Sequence, residues 1–151
     1  MAAAAAATGP TPRIPRAETN DIEPKVIAAA AAFLAEQKKG TDIRVFDVSE
    51  HLKVADFFVL ITGHSRPHVK AIYEEIHSQL KLLGEKHNKS EGTDLGWWIL
   101  VDYVDVVIHV LQPEAREYYD LDGLYADCKQ LDLRGIALPL ELTHPVVKIA
   151  E

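Results

Sequence analysis

Two apolar runs set close together constrain this chain more than any other feature. Residues 97–101 read WWILV and residues 106–111 read VVIHVL, with only Asp102, Tyr103, Val104 and Asp105 between them. A continuous stretch of Val, Ile and aromatics is what a strand covered on both faces requires, and so short a polar break joins two such strands as a hairpin. The chain must therefore build a sheet with material on both sides. Just downstream, PEAREYYDLDGLY crowds acids, Arg116 and three tyrosines into residues 113–125, which is more aromatic and charged chemistry than a core needs.

Upstream of the hairpin the hydrophobic period is helical. Pro24 suits a first helical turn, and Val26, Ile27, Ala30, Phe33 and Leu34 share one face until Lys38, Lys39 and Gly40 end it. The alanines between them favour helix while adding little packing volume. Residues 43–48 read as a strand through Val45, Phe46 and Val48, residues 49–55 as a connector, and 57–61 as an unbroken central strand. Thr62-Gly63-His64-Ser65 then turns into a second helix, with Ser65 as its N-cap and Pro67 in its first turn. Along it Val69, Ile72, Tyr73, Ile76, Leu80 and Leu83 recur at steps of three and four, and Gly84 closes it. Residues 87–95 are a polar loop, 113–119 one or two helical turns, and 121–125 a last short helix. Strands mixed with helices before a terminal hairpin predict a single α/β domain, a mixed β-sheet with helices packed on it. It spans residues 23–126, between a disordered leader at 1–22 and a C-terminal extension at 127–151. That extension either wraps the domain surface or is disordered in part.

Bulk properties remove several function classes. A chain of 151 residues is long enough for one well-buried core. The formal charge is −7 and the 16 basic residues are scattered, which argues against DNA as a partner, because phosphate neutralisation needs clustered Lys and Arg. Weak acidity instead suits solubility, or docking on a basic protein surface. A single cysteine, Cys128, excludes an internal disulfide and a Cys-rich metal site. No apolar run approaches the ~20 residues of a membrane helix, and the Ala-rich start lacks the basic and apolar regions of a secretory signal. A cytoplasmic protein without a membrane partner is expected.

Each motif has a structural reading beside its chemical one. Gly63 lies between a strand and a helix, where a phosphate could sit, yet neither G-x-G-x-x-G nor a P-loop is formed. Gly63 as a turn and Ser65 as a cap account for the segment, with nucleotide binding or residual nucleotidyltransferase activity as the alternative function. Among the 7 histidines only His64 and His68 have helical spacing, and there is no H-E-x-x-H, so no metal or cofactor is expected. Asp105 and His109 fall on the same face of a strand, but no nucleophile stands nearby and the turn explains the aspartates. No catalytic residue is assigned. Trp97 and Trp98 must face opposite sides of their strand. With Tyr103, Arg116, Tyr118, Tyr119 and Tyr125 they form the aromatic and charged set of a docking patch, or they cement the terminal helices to the sheet.

In order along the chain, Trp98, Asp102, Asp105, His109, Arg116, Tyr119, Leu121, Leu124 and Tyr125 resemble the ribosomal silencing factor (RsfS/Iojap) family. Upstream, Asp56, Thr62-Gly63-x-Ser65-x-x-His68 and Glu91-Gly92 extend the resemblance over residues 24–125. Val104 departs from the family's glycine in the hairpin turn, which implies a strained or altered turn. Leu121-Asp122-Gly123-Leu124-Tyr125 stands for the family's Leu-Glu-x-Leu-Trp. The resemblance implies a nucleotidyltransferase-like fold without catalytic carboxylates, and a repressor rather than an enzyme. Such a protein binds the large ribosomal subunit through ribosomal protein uL14, its protein fourteen, and sterically blocks the small subunit. On that reading Trp98, Tyr103 and Tyr119 supply contact area, Asp102 and Asp105 face basic residues, and Arg116 braces the patch. Asp56, Gly63, Ser65 and His68 serve the strand–helix turn. A homodimer through the hairpin or a sheet edge is a further possibility.

Overall fold

The structure, a computed structural model, describes residues 22–85, 89–139 and 142. In chain order it runs α1 (Pro24–Gln37), β1 (Thr41–Asp47), β2 (Phe57–Thr62), α2 (Arg66–Leu82), β3 (Lys89–Glu91), β4 (Trp98–Asp102), β5 (Val106–Leu111), α3 (Pro113–Tyr119), α4 (Leu121–Leu124) and β6 (Lys129–Gln130). The strands make one six-stranded sheet in the order β3-β4-β5-β2-β1-β6. The pair β2–β5 is parallel and every other pair is antiparallel, so the sheet is mixed as expected.

Every residue of β2 and β5 is buried, as the continuous apolar runs require of central strands. The two-residue period then sorts their side chains onto two faces. Val59, Ile61, Ile99, Val101, Val106, Ile108 and Val110 join one core under α1 and α2. Phe46, Phe58, Leu60, Trp98, Leu100, Val107 and Leu111 join the other, together with Ala115 of α3, Leu121 of α4 and Tyr125.

α2 keeps the expected stripe, burying Val69, Ile72, Ile76 and Leu80, and Ser65 caps it by accepting the His68 N–H. α1 differs from expectation. It buries Ile27, Leu34 and all of Ala28 to Ala32 as well as Ala35, which is more than one face. Short side chains let three neighbours close in at once: the sheet, α2, and the segment carrying Leu131, Leu133 and Leu138. That segment belongs to the C-terminal extension, whose β6 also pairs with the edge of β1. The leader expected at residues 1–22 falls outside the described residues except for Ile22, as does most of the extension beyond Pro139.

Two backbone irregularities shape the ends of the sheet. In β1 the register slips between Thr41 and Arg44, and Asp42 within this bulge has φ +48°. In the β4–β5 hairpin Val104 has φ +74°, and the Asp105 N–H donates to the Tyr103 carbonyl at 2.9 Å. That is a γ-turn of the rare, strained hand, and a β-branched residue is the least suited to it. Asp102 supports the turn by accepting the Val104 N–H at 2.8 Å. The strained turn expected from Val104 is present.

Candidate docking surface

α3 and α4 span only 7 and 4 residues, too short to persist unaided. Arg116 ties them down. Its Nε and Nη2 donate in parallel to the two carboxylate oxygens of Asp122, each at 2.9 Å, while Nη1 donates to Thr62 Oγ1 at 3.0 Å. Nη1 also donates to the Asp42 carbonyl, which the β1 bulge turns toward it. One guanidinium thus joins α3, α4, β1 and β2, using the planar fork that lysine lacks. Asp122 is held below the usual carboxylate range, first by its bond from Arg116, with the charges of Arg116 and Arg44 adding and burial opposing. The corner between the helices turns at Asp120, φ +46°, whose carboxylate accepts the Gly123 N–H at 3.1 Å. A Cβ on Gly123 would lie 2.2 Å from that carboxylate, so any other residue would push the Asp120 side chain out of its capping position.

Under these helices lies an aromatic stack. Trp98 Nε1–H donates to His109 Nδ1 at 3.0 Å. His109 must therefore be neutral, with its hydrogen on Nε2, an atom that is buried without a hydrogen-bond partner among the described residues. Burial first, then the charge of Arg116, pushes its pKa down to about 3. Phe58 packs edge-on between the His109 ring at 4.8 Å and the Tyr125 ring at 5.1 Å, and Tyr119 lies 4.8 Å from Trp98. A histidine so enclosed organises the packing around it.

The residues expected to act together divide between opposite ends of the sheet. Trp98, Arg116 and Tyr119 gather at the α3 end, whereas Asp102, Tyr103 and Asp105 sit at the hairpin turn, roughly 13 Å away along β4. Burial corrects several expected contacts. Trp98 is 0%, Tyr103 2%, Asp105 3% and Arg116 7% exposed, while Asp102 and Tyr119 are partly exposed. Trp98 and Tyr103 cannot supply contact area from inside the two cores that enclose them; they can only support a surface from beneath. Asp56 is also relocated, because it opens β2 at the hairpin end, where its N–H donates to the Asp105 carbonyl at 2.7 Å. It takes no part in the turn at Gly63.

That turn is built for packing. A Cβ on Gly63 would meet Val69 Cγ2 at 2.7 Å. The His64 N–H donates to His68 Nδ1 at 2.9 Å, and His68 Nε2–H then donates to the Lys38 carbonyl at 2.7 Å. With the His68 N–H bonded to Ser65 Oγ, these amides serve the chain itself and make no phosphate cradle. Among the described residues no group of three or more His, Cys, Asp or Glu is placed to hold a metal ion. Nor is any described helix long and apolar enough to cross a membrane.

Sequence reasoning missed the partners of Arg116. Asp122 is six residues away around a left-handed corner, and Asp42 and Thr62 are contributed by other strands, so no spacing signals them. It also passed over Leu95 and gave Leu124 no contact role, though they are 70% and 66% exposed, as Tyr118 is at 77%. A leucine alone in a polar, glycine-bounded loop was the one available signal.

Comparison with known proteins agrees with this architecture. A family model described as ribosomal silencing factor during starvation matches residues 19–145. The chain is 38% identical over 109 residues to the ribosomal silencing factor of Bacillus subtilis, an alignment covering 72% of this chain and 92% of that one. It is 33% identical over 122 residues to the chloroplastic Iojap protein of Arabidopsis thaliana, covering 79% of this chain and 50% of the relative. A crystal structure of a Chromobacterium violaceum protein superposes with a TM-score of 0.68 at 32% identity, covering 82% of this chain and 98% of that one.

Proposed function

The chain belongs to the ribosomal silencing factor family, and from that premise we propose that it represses translation by docking on the large ribosomal subunit and obstructing the small one. The docking partner in this reading is protein fourteen of the large subunit, and the effect is steric, with no reaction catalysed. The observation that carries the proposal is the family match across residues 19–145. The charge supports it: at −7 the chain complements the basic proteins of a ribosome and is repelled by bare phosphate. Asp102 and Tyr119, both partly exposed, are the expected residues free to touch a partner. Trp98, Tyr103, Asp105 and Arg116 act from below by fixing the surface. The engaged amides of Gly63, His64 and His68 weigh against the nucleotide-binding alternative.

Co-sedimentation with purified large subunits, paired with pull-down of isolated protein fourteen, tests the reading. Saturable binding in both is expected. No binding to either would contradict it. Light scattering of the purified chain separately reads any homodimer, and the cytoplasm is the expected setting.

A further inference from the structure

Four large hydrophobic side chains stand in solvent among the described residues, namely Leu82, Leu95, Tyr118 and Leu124. Three of them come from the segments that cover or border the aromatic face: the loop before β4, α3 and α4. We propose that Leu95, Tyr118 and Leu124 are the apolar anchors with which this surface grips a basic protein of the large subunit. The inference rests on the docking reading above and adds which residues carry it and what kind of surface they meet.

The backbone beneath each anchor is fixed. Around Leu95, the Gly96 N–H donates to the Gly92 carbonyl at 3.1 Å, Arg66 Nη2 donates to the Asp94 carbonyl at 2.8 Å, and Gln112 Nε2 donates to the Gly96 carbonyl at 2.8 Å. Gly92 and Gly96 have φ of +81° and +64°, and a Cβ on Gly92 would lie 2.0 Å from the Trp98 carbonyl oxygen. Tyr118 stands edge-on to Tyr119 at 4.9 Å, which itself leans on Trp98. Leu124 follows the Arg116–Asp122 tether and the Asp120 cap. Apolar groups displayed on an already rigid frame lose little further freedom on binding, which is how a contact residue gains affinity.

The charges select the partner. Asp94 precedes Leu95, Glu117 precedes Tyr118, and Asp120 opens the helix of Leu124; all three acids are exposed. The one basic residue of α3 and α4, Arg116, is buried and neutralised by Asp122. Two exposed guanidiniums stand nearby, Arg66 on the Asp94 carbonyl and Arg44 already paired with Asp42 and Asp122, so the unpaired charge flanking the anchors is mainly acidic and fits a protein surface whose Lys and Arg surround an apolar patch better than the phosphates of ribosomal RNA.

The test uses the full chain and purified large subunits. Leu95→Ser, Tyr118→Ser and Leu124→Ser are made singly and together, with Leu82→Ser, on the opposite face, as comparator. All four sites are exposed, so melting temperatures stay within a degree or two of the parent. The triple variant is expected to bind at least tenfold more weakly and Leu82→Ser unchanged. Undiminished binding by the triple variant overturns this surface and leaves the docking reading standing, whereas failure of the unsubstituted chain to bind overturns both. Equal loss in Leu82→Ser would mean nonspecific adhesion. A homodimer that only the triple variant dissolves would assign the surface to a second copy. Either of those results also overturns the proposal.

Discussion

Beneath α1 and α2 the sheet presents Val59, Ile61, Ile99, Val101, Ile108 and Val110, a face closed mainly by dispersion and area. On the other side the same strands present Phe58, Trp98 and His109 beneath two helices of 7 and 4 residues. The first face has long amphipathic helices and small interdigitating side chains, so its energy is spread over many weak contacts. The second has a thin cover fastened by a few directional bonds, from Arg116 to Asp122 and Thr62 and from Trp98 to His109. The difference fits the docking reading proposed above, in which a surface offered to a partner is not capped by bulk. It is held from below by polar fastenings that leave its outer side free.

The sharpest way to break this comparison is to cut the fastening. Arg116→Met should cost about 3 kcal/mol in urea unfolding, because it strands two paired oxygens and leaves Asp122 only its partly exposed pair with Arg44. Arg116→Lys should recover little of it, since an ammonium cannot bridge Asp122 in two places. A loss below about 1 kcal/mol would show that the short helices hold by packing like the long ones. Next in size, Trp98→Phe keeps a ring but leaves His109 Nδ1 without its donor, at about 1–3 kcal/mol. A matched trim on the other face, Ile108→Val, removes one methyl group for about 0.5–1.5 kcal/mol. Equal losses at the two positions would erase the distinction between directional and dispersive cores.

Acid sharpens the same contrast. His109 has a folded pKa of about 3 against an ordinary 6.5, so the unfolded chain takes up the proton first. Stability from this site is whole above about pH 6.5 and falls between 6.5 and 3, by up to about 1.4 kcal/mol per pH unit. Asp122 adds a loss of the same sign only as pH falls below its ordinary 3.8. Unfolding free energies from pH 7 to 5 should therefore fall more steeply for the parent than for His109→Gln, and parallel curves would sink the assignment. The smallest effect is a gain. Val104→Gly relieves the +74° turn and should raise stability by up to about 1 kcal/mol, less what the freer unfolded chain takes back.

Much of the fold was legible because burial on both faces leaves a continuous apolar run. β2, β4 and β5 therefore announced themselves, as did the stripe and cap of α2. The alanines of α1 were legible as helix but not as a helix enclosed on several sides, because enclosure depends on Leu131, Leu133 and Leu138 arriving from the far end of the chain. The candidate site was legible as a region and misread in detail. Trp98 and Tyr103 looked like contact residues by type, yet β4 turns Trp98 into one core and the hairpin just beyond its end turns Tyr103 into the other. Arg116 stood out by type, while its partners come together only through a bulge, a strand end and a left-handed corner.

The central claim is obstruction of subunit joining. Separated small and large ribosomal subunits, mixed at a magnesium concentration that favours joining, are resolved on a sucrose gradient with rising amounts of the chain. The joined peak is expected to shrink as the chain is added, with the chain travelling in the large-subunit peak. Joined particles that form undiminished at saturating chain would contradict that claim.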